Sequence, residues 1–318
     1  MDIMKITDIK FESAQHVIDE IRNMNVKGGS PFGRAAAWAY KLVAEQETFS
    51  DKAELTARFD QISREMLTLK PTMATIYNSK KLVYTILEQE ALSVRELQEK
   101  IIHICDNIIE YSLEAVEKLG RYGGNLIQDG DTVMMHSYSS ALMSVFLAAA
   151  ESGKQFRVIC TESRPLRESR LAAKFLQSHG VAVTYITDAS IWEFMPEADL
   201  IIMGADTIAW DGSVANKMGT AMIGQLALSA KKPVYIASEV YKLDYRTAEG
   251  HPVVLERRVK EEIITEGDFD SMDGIEVINQ FFDLIPARNI TGLITEFGVI
   301  APSLVSEYWK QLEQEMLG

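Results

Sequence analysis

GADTIAWDGSVANKMGT, residues 204–220, follows the apolar run DLIIM (199–203) and leads into an apolar stretch with the texture of a helix. A short, continuously apolar run is the pattern of a strand buried on both faces, so the segment reads as the strand-to-helix connection of an open α/β sheet. Asp206 then stands at the carboxyl end of a buried strand, with Asn216 and Lys217 at the entry to the next helix. Strand ends and helix amino termini converge along that edge with unpaired N–H groups, which makes it the expected binding site for a small anion.

Outward from this segment the pattern repeats. TVMMH, FRVICT, VAVTYI and PVYIAS, starting at positions 132, 156, 181 and 233, are further β-type runs alternating with helical stretches. Such alternation implies a parallel sheet joined by right-handed crossovers. Residues 126–318 are therefore expected to form a Rossmann-like domain. Before Asp129-Gly130 the texture is helical, with apolar residues at three-to-four spacing over 12–24, 33–46, 52–69 and 87–119. The expected fold is α/β, with a helical amino-terminal domain, 1–125, ahead of the parallel-sheet domain. Lys27 to Pro31, Lys70-Pro71-Thr72 and the stretch Gly120 to Gly124 read as the breaks between helices. The acidic stretch from Glu261 to Asp273 reads as a surface segment.

Composition sets limits on function. The chain has 318 residues, 47% apolar and 25% charged, with a formal charge of −14. That balance suits a folded core and disfavours a nucleic-acid surface, which needs clustered Lys and Arg. Cys105 and Cys160 have neither metal-type nor disulfide-framework spacing, so no metal or cofactor is expected and a reducing cytoplasm fits. The start MDIMKITDIKFESAQ lacks a signal peptide's apolar core, and no stretch has the length of a membrane span.

Two further segments are candidate phosphate sites. In Lys27-Gly28-Gly29-Ser30-Pro31-Phe32-Gly33-Arg34, backbone N–H groups without side-chain bulk stand beside a cation at a helix start; a plain helix cap is the bland alternative. Lys70-Pro71-Thr72 is a helix break with a lysine attached. Arg164, Arg167 and Arg170 at helical spacing form either a solvated face or part of a phosphate pocket. His16, His103, His179 and His251 are scattered and read as surface or packing residues; Tyr138 and Trp210 suit either packing or a sugar face.

Taken in order, Lys27-Gly28-Gly29, Lys70-Pro71-Thr72, His136-Ser137-Tyr138-Ser139, Thr161 to Pro165, Gly204-Ala205-Asp206, Asn216 to Thr220 and FDLIPARNITGLITEFGVIAP (282–302) resemble one superfamily. It unites the regulatory subunits of translation initiation factor 2B with isomerases of methylthioribose 1-phosphate and ribose 1,5-bisphosphate. The resemblance spans nearly the whole chain and implies a helical domain, a Rossmann-like domain and a dimer built through the latter. It also implies that Asp206 and a cysteine at the position of Ser137 flank the sugar, and that Asn216 and Lys217 help bind it. By the same resemblance, arginine-bearing elements matching Lys27 to Gly29 and Lys70 to Thr72 hold phosphate.

Asp206, Asn216, Lys217 and Thr72 match that pattern, whereas the cysteine and both arginines are replaced. Lysine keeps the charge and loses the planar fork, so phosphate binding weakens without vanishing. Serine for cysteine is harsher, because a thiol ionises near pH 8.5 and an alcohol does not. An aldose phosphorylated at its anomeric oxygen cannot open simply to an aldehyde. Its ring oxygen must be protonated while hydrogen passes from C2 to C1, and a carboxylic acid kept neutral by burial can give that proton. Asp206 is the candidate acid, and Ser137, activated locally, the candidate to remove the C2 hydroxyl proton. His136 is expected on the opposite face of its strand from Ser137. Cys160, at the end of the neighbouring strand, could replace the missing thiol, although a buried cysteine is commonly an apolar filler.

The expected function is a pentose 1-phosphate aldose–ketose isomerase with catalytic Asp206 and Ser137, and a binding set of Lys27, Gly28, Gly29, Lys70, Thr72, Asn216 and Lys217. The alternative is a noncatalytic sugar-phosphate or nucleotide binder similar to the alpha subunit of initiation factor 2B, suggested by the shared His-x-Tyr-Ser motif. Either reading expects a small phosphorylated sugar as ligand, a homodimer or higher homo-oligomer, and neither nucleic acid nor membrane as partner.

Overall fold

The computed structural model describes residues 9–26 and 28–317. Lys27, a candidate phosphate residue, lies outside the described residues. The amino-terminal part consists of helices α1 (Ala14–Arg22), α2 (Gly29–Gln46), α3 (Lys52–Leu69), α4 (Ala74–Leu87) and α5 (Val94–Leu126). Their starts follow from local chemistry. The side chains of Ser13 and Asp51 accept the N–H groups of His16 and Glu54, and Ser93 and Glu96 form a reciprocal capping box. Each satisfies donors that the first helical turn leaves without partners.

The helices depart from the sequence expectation at three places. The helix expected over 87–119 begins at the capping box, after α4, which the sequence pattern did not separate. The helix expected from 33 starts four residues earlier, at Gly29, because Gly28 adopts the left-handed φ of +92° that turns the chain into it. Gly120 to Gly124 is not a helix end. Helix α5 runs through it, because those glycines let the backbone approach α6 (Ser140–Glu151). A methyl group at Gly123 would stand 2.5 Å from Val145 Cγ2, and one at Gly124 2.9 Å from Ala148 Cβ.

The principal sheet has seven strands: β1 (Thr132–Met135), β2 (Arg157–Thr161), β3 (Ala182–Ile186), β4 (Leu200–Gly204), β7 (Val234–Ala237), β12 (Gly292–Thr295) and β13 (Gly298–Ile300). Their spatial order is β13-β12-β7-β4-β1-β2-β3. All neighbours run parallel except the terminal β12–β13 hairpin. Met134, Ile159, Ile201 and Met203 enter the core shared with the amino-terminal helices. Val133, Met135, Val158, Cys160 and Ile202 face the opposite cluster, with α6 and α7 (Ser169–Ser178). This alternation explains the continuous apolar runs: both faces are covered.

Beyond β4 the chain does not pass straight into a helix. It forms β5 (Thr207–Ala209) and β6 (Val214–Lys217), with β8 (Leu243–Asp244) and β11 (Phe282–Ile285) completing a four-stranded sheet in the order β11-β6-β5-β8. Asn216 and Lys217, expected at the entry to the next helix, are the last two residues of β6, and α9 (Thr220–Ser229) follows. The short helix α8 (Ile191–Phe194), the ribbon of β9 (Arg257–Arg258) with β10 (Asn279–Gln280), and α10 (Val305–Leu317) complete the α-helices and strands of the described residues. None of their helices is long and apolar enough to cross a membrane.

Candidate active site

Strand order fixes where a ligand belongs. From β1 the chain builds outward through β2 and β3, then returns to β4 on the other side of β1 and continues to β7 and β12. Strand order therefore reverses between β1 and β4, and open sheets bind ligands beyond the carboxyl ends at such a reversal. His136-Ser137 leave β1 there, and Ala205-Asp206 leave β4.

Asp206 remains partly exposed, yet surrounding atoms strip water from its carboxylate. Burial raises its pKa above the ordinary carboxylate range, opposed by the positive charges of Lys242 and Lys217. Lys242 Nζ donates to the Ala205 carbonyl at 2.8 Å, fixing the backbone that carries the acid. Lys217 is buried, with Nζ 2.6 Å from Glu168 Oε1 and 3.0 Å from the centre of the Phe281 ring. Burial lowers the pKa of Lys217, while Glu168 and Asp206 favour its charged form.

The amino-terminal helices close over this edge. A methyl group at Gly29 would lie 3.0 Å from the Asp206 carbonyl oxygen and 3.1 Å from Lys242 Cε, so the start of α2 sits closely against the backbone that carries the acid. Thr75 Oγ1 donates to the Gly29 carbonyl at 2.8 Å, joining α2 to α4. Thr207, next to Asp206, donates its hydroxyl to the Thr72 carbonyl at 2.7 Å. The Thr72 hydroxyl itself is buried with no hydrogen-bond partner among the described residues. Lys70 is buried beside the Phe32 ring, with Nζ 2.9 Å from Met24 Sδ. Burial lowers its pKa, and the nearby carboxylates of Glu256 and Asp206 oppose that shift.

The structure thus gathers Gly29, Lys70, Thr72, Asp206 and Lys217 around one edge, with Ser137 across the strand-order reversal. Asn216 is less free. Its amide donates to Thr220 Oγ1 at 2.9 Å and holds the first turn of α9. Ser137 has a left-handed φ of 67° and donates its N–H to Ser163 Oγ at 2.7 Å. His136 does not serve it. One ring nitrogen meets Thr161 Oγ1 at 2.6 Å, the other the Met218 carbonyl at 2.9 Å, and burial holds the imidazole pKa down.

Cys160 pairs with Met135 in register, yet its thiol fills the apolar cluster on the far face, and burial pushes its pKa up to about 12. It is filler and not a replacement proton acceptor. Nor do the three arginines share a helix face. Pro165 and a left-handed Arg167 precede α7, Arg167 pairs with Glu162 at 3.4 Å, and Arg164 reaches the carbonyls of Pro165 and Ile263. Trp210 packs against the core under Lys310, and Tyr138 against the far-face cluster.

Sequence reading missed Lys242, Glu239 and Glu168. The first two follow PVYIAS, a run already read as a strand, so the rule that found Asp206 would have found them. Glu239 is fully buried, raised in pKa by burial and countered by Lys242 and Arg34. Behind it, burial lifts the Glu296 carboxyl to about 7, with Tyr111 donating its hydroxyl to it.

A helix-capped α/β sheet thus presents a desolvated acid among buried lysines at its strand-order reversal. Residues 25–302 match the family model described as the Initiation factor 2 subunit family, and the chain belongs to that family. It is 34% identical over 318 residues, 99% of this chain and 98% of the relative, to a ribose 1,5-bisphosphate isomerase of Methanocaldococcus jannaschii. To a methylthioribose-1-phosphate isomerase of Thermosipho africanus it is 30% identical, over 96% of this chain and 92% of the relative. Among solved structures it resembles a Pyrococcus horikoshii translation initiation factor eIF-2B, with a TM-score of 0.75 and 29% identity over 91% of this chain and 97% of the other.

Proposed function

We propose that the chain is an aldose–ketose isomerase of a pentose 1-phosphate, with Asp206 as the acid that opens the sugar ring. The observation that carries this reading is the Asp206 carboxyl, raised in pKa by burial and facing Lys217 and Lys242. A carboxyl whose acid form burial favours can protonate the ring oxygen as the C1–O bond breaks toward it. Hydrogen then passes with its electron pair from C2 to C1, and the C2 hydroxyl loses its proton to give the ketose. Phosphate is taken by Lys70, Lys217 and the amino terminus of α2 at Gly28-Gly29, where N–H groups and the helix dipole favour an anion. Lys27, Thr72 and Asn216 complete this binding set, and Ser137 lines the C2 side. The near full-length likeness to two sugar-phosphate isomerases supports the same activity.

The helical part, 1–125, acts as the cover of a site carried by 126–318. A homodimer in the cytoplasm belongs to the same proposal. A second reading, a noncatalytic binder of the same ligand, draws on one observation: neither His136 nor Cys160 can activate or replace Ser137. Incubation with ribose 1-phosphate, ribose 1,5-bisphosphate and methylthioribose 1-phosphate, followed by NMR, separates the two. A ketose product supports the isomerase, whereas a raised melting temperature without product leaves only the binder.

A further inference from the structure

Two carboxylates, not one, face Lys217. Glu168 precedes α7 at the carboxyl end of β2, and its Oε1 stands 2.6 Å from the Lys217 ammonium, with 23% of its side chain exposed. Its other oxygen, Oε2, is buried and has no hydrogen-bond partner among the described residues. Leaving a carboxylate oxygen desolvated and unbonded is costly, so this arrangement is one that a hydroxyl donor would complete. Glu168 is also within electrostatic reach of Asp206, whose pKa it raises, and of His136.

Sequence neighbours tie Glu168 to the position that lacks its thiol. Ser169 Oγ donates to the Ser137 carbonyl at 3.3 Å and meets Ser163 Oγ at 2.7 Å, while Ser163 Oγ accepts the Ser137 N–H. Ser137, Ser163 and Ser169 therefore form one hydrogen-bonded unit on the β1–β2 side of the site, and Glu168 is the residue next to Ser169 in the chain. An alcohol at position 137 is a weak proton acceptor, the His136 nitrogens are engaged, and Cys160 is sealed on the far face.

We propose that Glu168 is the general base of the isomerisation, taking over the proton transfer that the replaced cysteine leaves open. This rests on the isomerase reading above. Asp206 gives its proton to the ring oxygen and the C1–O bonding pair goes to that oxygen. The C2 hydrogen moves with its electron pair to C1, the C2 O–H pair becomes the second bond of the new carbonyl, and the hydroxyl proton passes to Glu168 Oε2. Asp206 ends ionised and Glu168 protonated; exchange with solvent resets both. Lys217, between them, holds the phosphate and keeps the two carboxylates apart.

The test follows ribose 1,5-bisphosphate turnover by NMR in wild type, Glu168→Gln, Glu168→Ala and the double variant Ser137→Cys with Glu168→Gln. Removing a general base should lower kcat by about 100-fold or more in both single variants, with KM changed by no more than about threefold. Formate added to Glu168→Ala, and the thiol of the double variant, should each recover about tenfold or more of the lost kcat. Those recoveries separate a proton acceptor from a residue that only shapes the loop. Wild type active and Glu168→Gln equally active or faster, as when Glu168 merely competes with phosphate for Lys217, overturns the assignment and leaves the isomerase standing. A loss of kcat that neither formate nor the thiol recovers overturns it too. A wild type silent on all pentose 1-phosphates removes the isomerase reading and this assignment together.

Discussion

Glu296→Gln should make the protein more stable at pH 8 and nearly unchanged at pH 5. Glu296 is 7% exposed, accepts the Tyr111 hydroxyl and the Val240 N–H, and has its pKa raised from 4.5 to about 7 chiefly by burial, with Glu239 adding to the rise. The folded state therefore holds this proton more tightly than the unfolded chain does. Stability is unaffected below pH about 4.5, falls as pH rises through the window up to about 7, and stays reduced above it. A shift of about 2.5 units at about 1.4 kcal/mol each is a cost of about 3 kcal/mol at pH 8, and under 1 kcal/mol at pH 5. Glutamine keeps the shape and an acceptor for Tyr111 without the charge, so it escapes this penalty, losing about 1 kcal/mol where the charged hydrogen bond was stronger. Chemical unfolding of both proteins at equal concentration, at pH 5 and pH 8, should show the variant's advantage growing by about 2 kcal/mol between the two. A constant offset, or wild type gaining stability toward pH 8 relative to the variant, would refute the assignment of a raised pKa to this carboxyl.

Gly123→Ala should destabilise by about 1–3 kcal/mol, because the added methyl would press on Val145 Cγ2 at 2.5 Å and part α5 from α6; an unchanged melting temperature would show that the helices can yield. Lys70→Ala should weaken inorganic phosphate binding roughly tenfold and flatten its salt dependence, as expected on removing one of the site's cations. Calorimetry at two salt concentrations checks this, and an unaltered affinity would move the phosphate elsewhere.

Most of the fold was legible because both of its periods are strong. A sheet covered on both faces writes uninterrupted apolar runs, and TVMMH, FRVICT, VAVTYI, DLIIM and PVYIAS all became strands. Glycine was the ambiguous letter. Gly28 turns the chain as expected, whereas Gly120 to Gly124 marks a helix contact, and nothing local distinguishes a break from a close approach. The hairpin of β5 and β6 was hidden because its strands are short and stabilised by β8 and β11, which come from far along the chain.

The site was legible in part for a similar reason. Asp206 follows a recognisable strand, so its place at the sheet edge could be read directly. Glu168, Lys242 and Glu239 draw their meaning from contacts across elements: Glu168 from Lys217, Lys242 from Ala205, Glu239 from the charges of Lys242 and Arg34. Cys160 shows the converse. Its strand pairs as the sequence allowed, but strand alternation turns the thiol away from the ligand side.

If Asp206 supplies the ring-opening proton, Asp206→Asn removes its source while leaving the shape of the side chain. Ribose 1,5-bisphosphate turnover by NMR should fall by about 100-fold to 10,000-fold, as for loss of a general acid, while calorimetric affinity for the sugar stays within about threefold. Ketose formation by the Asp206→Asn variant at the wild-type rate would exclude Asp206 as the acid.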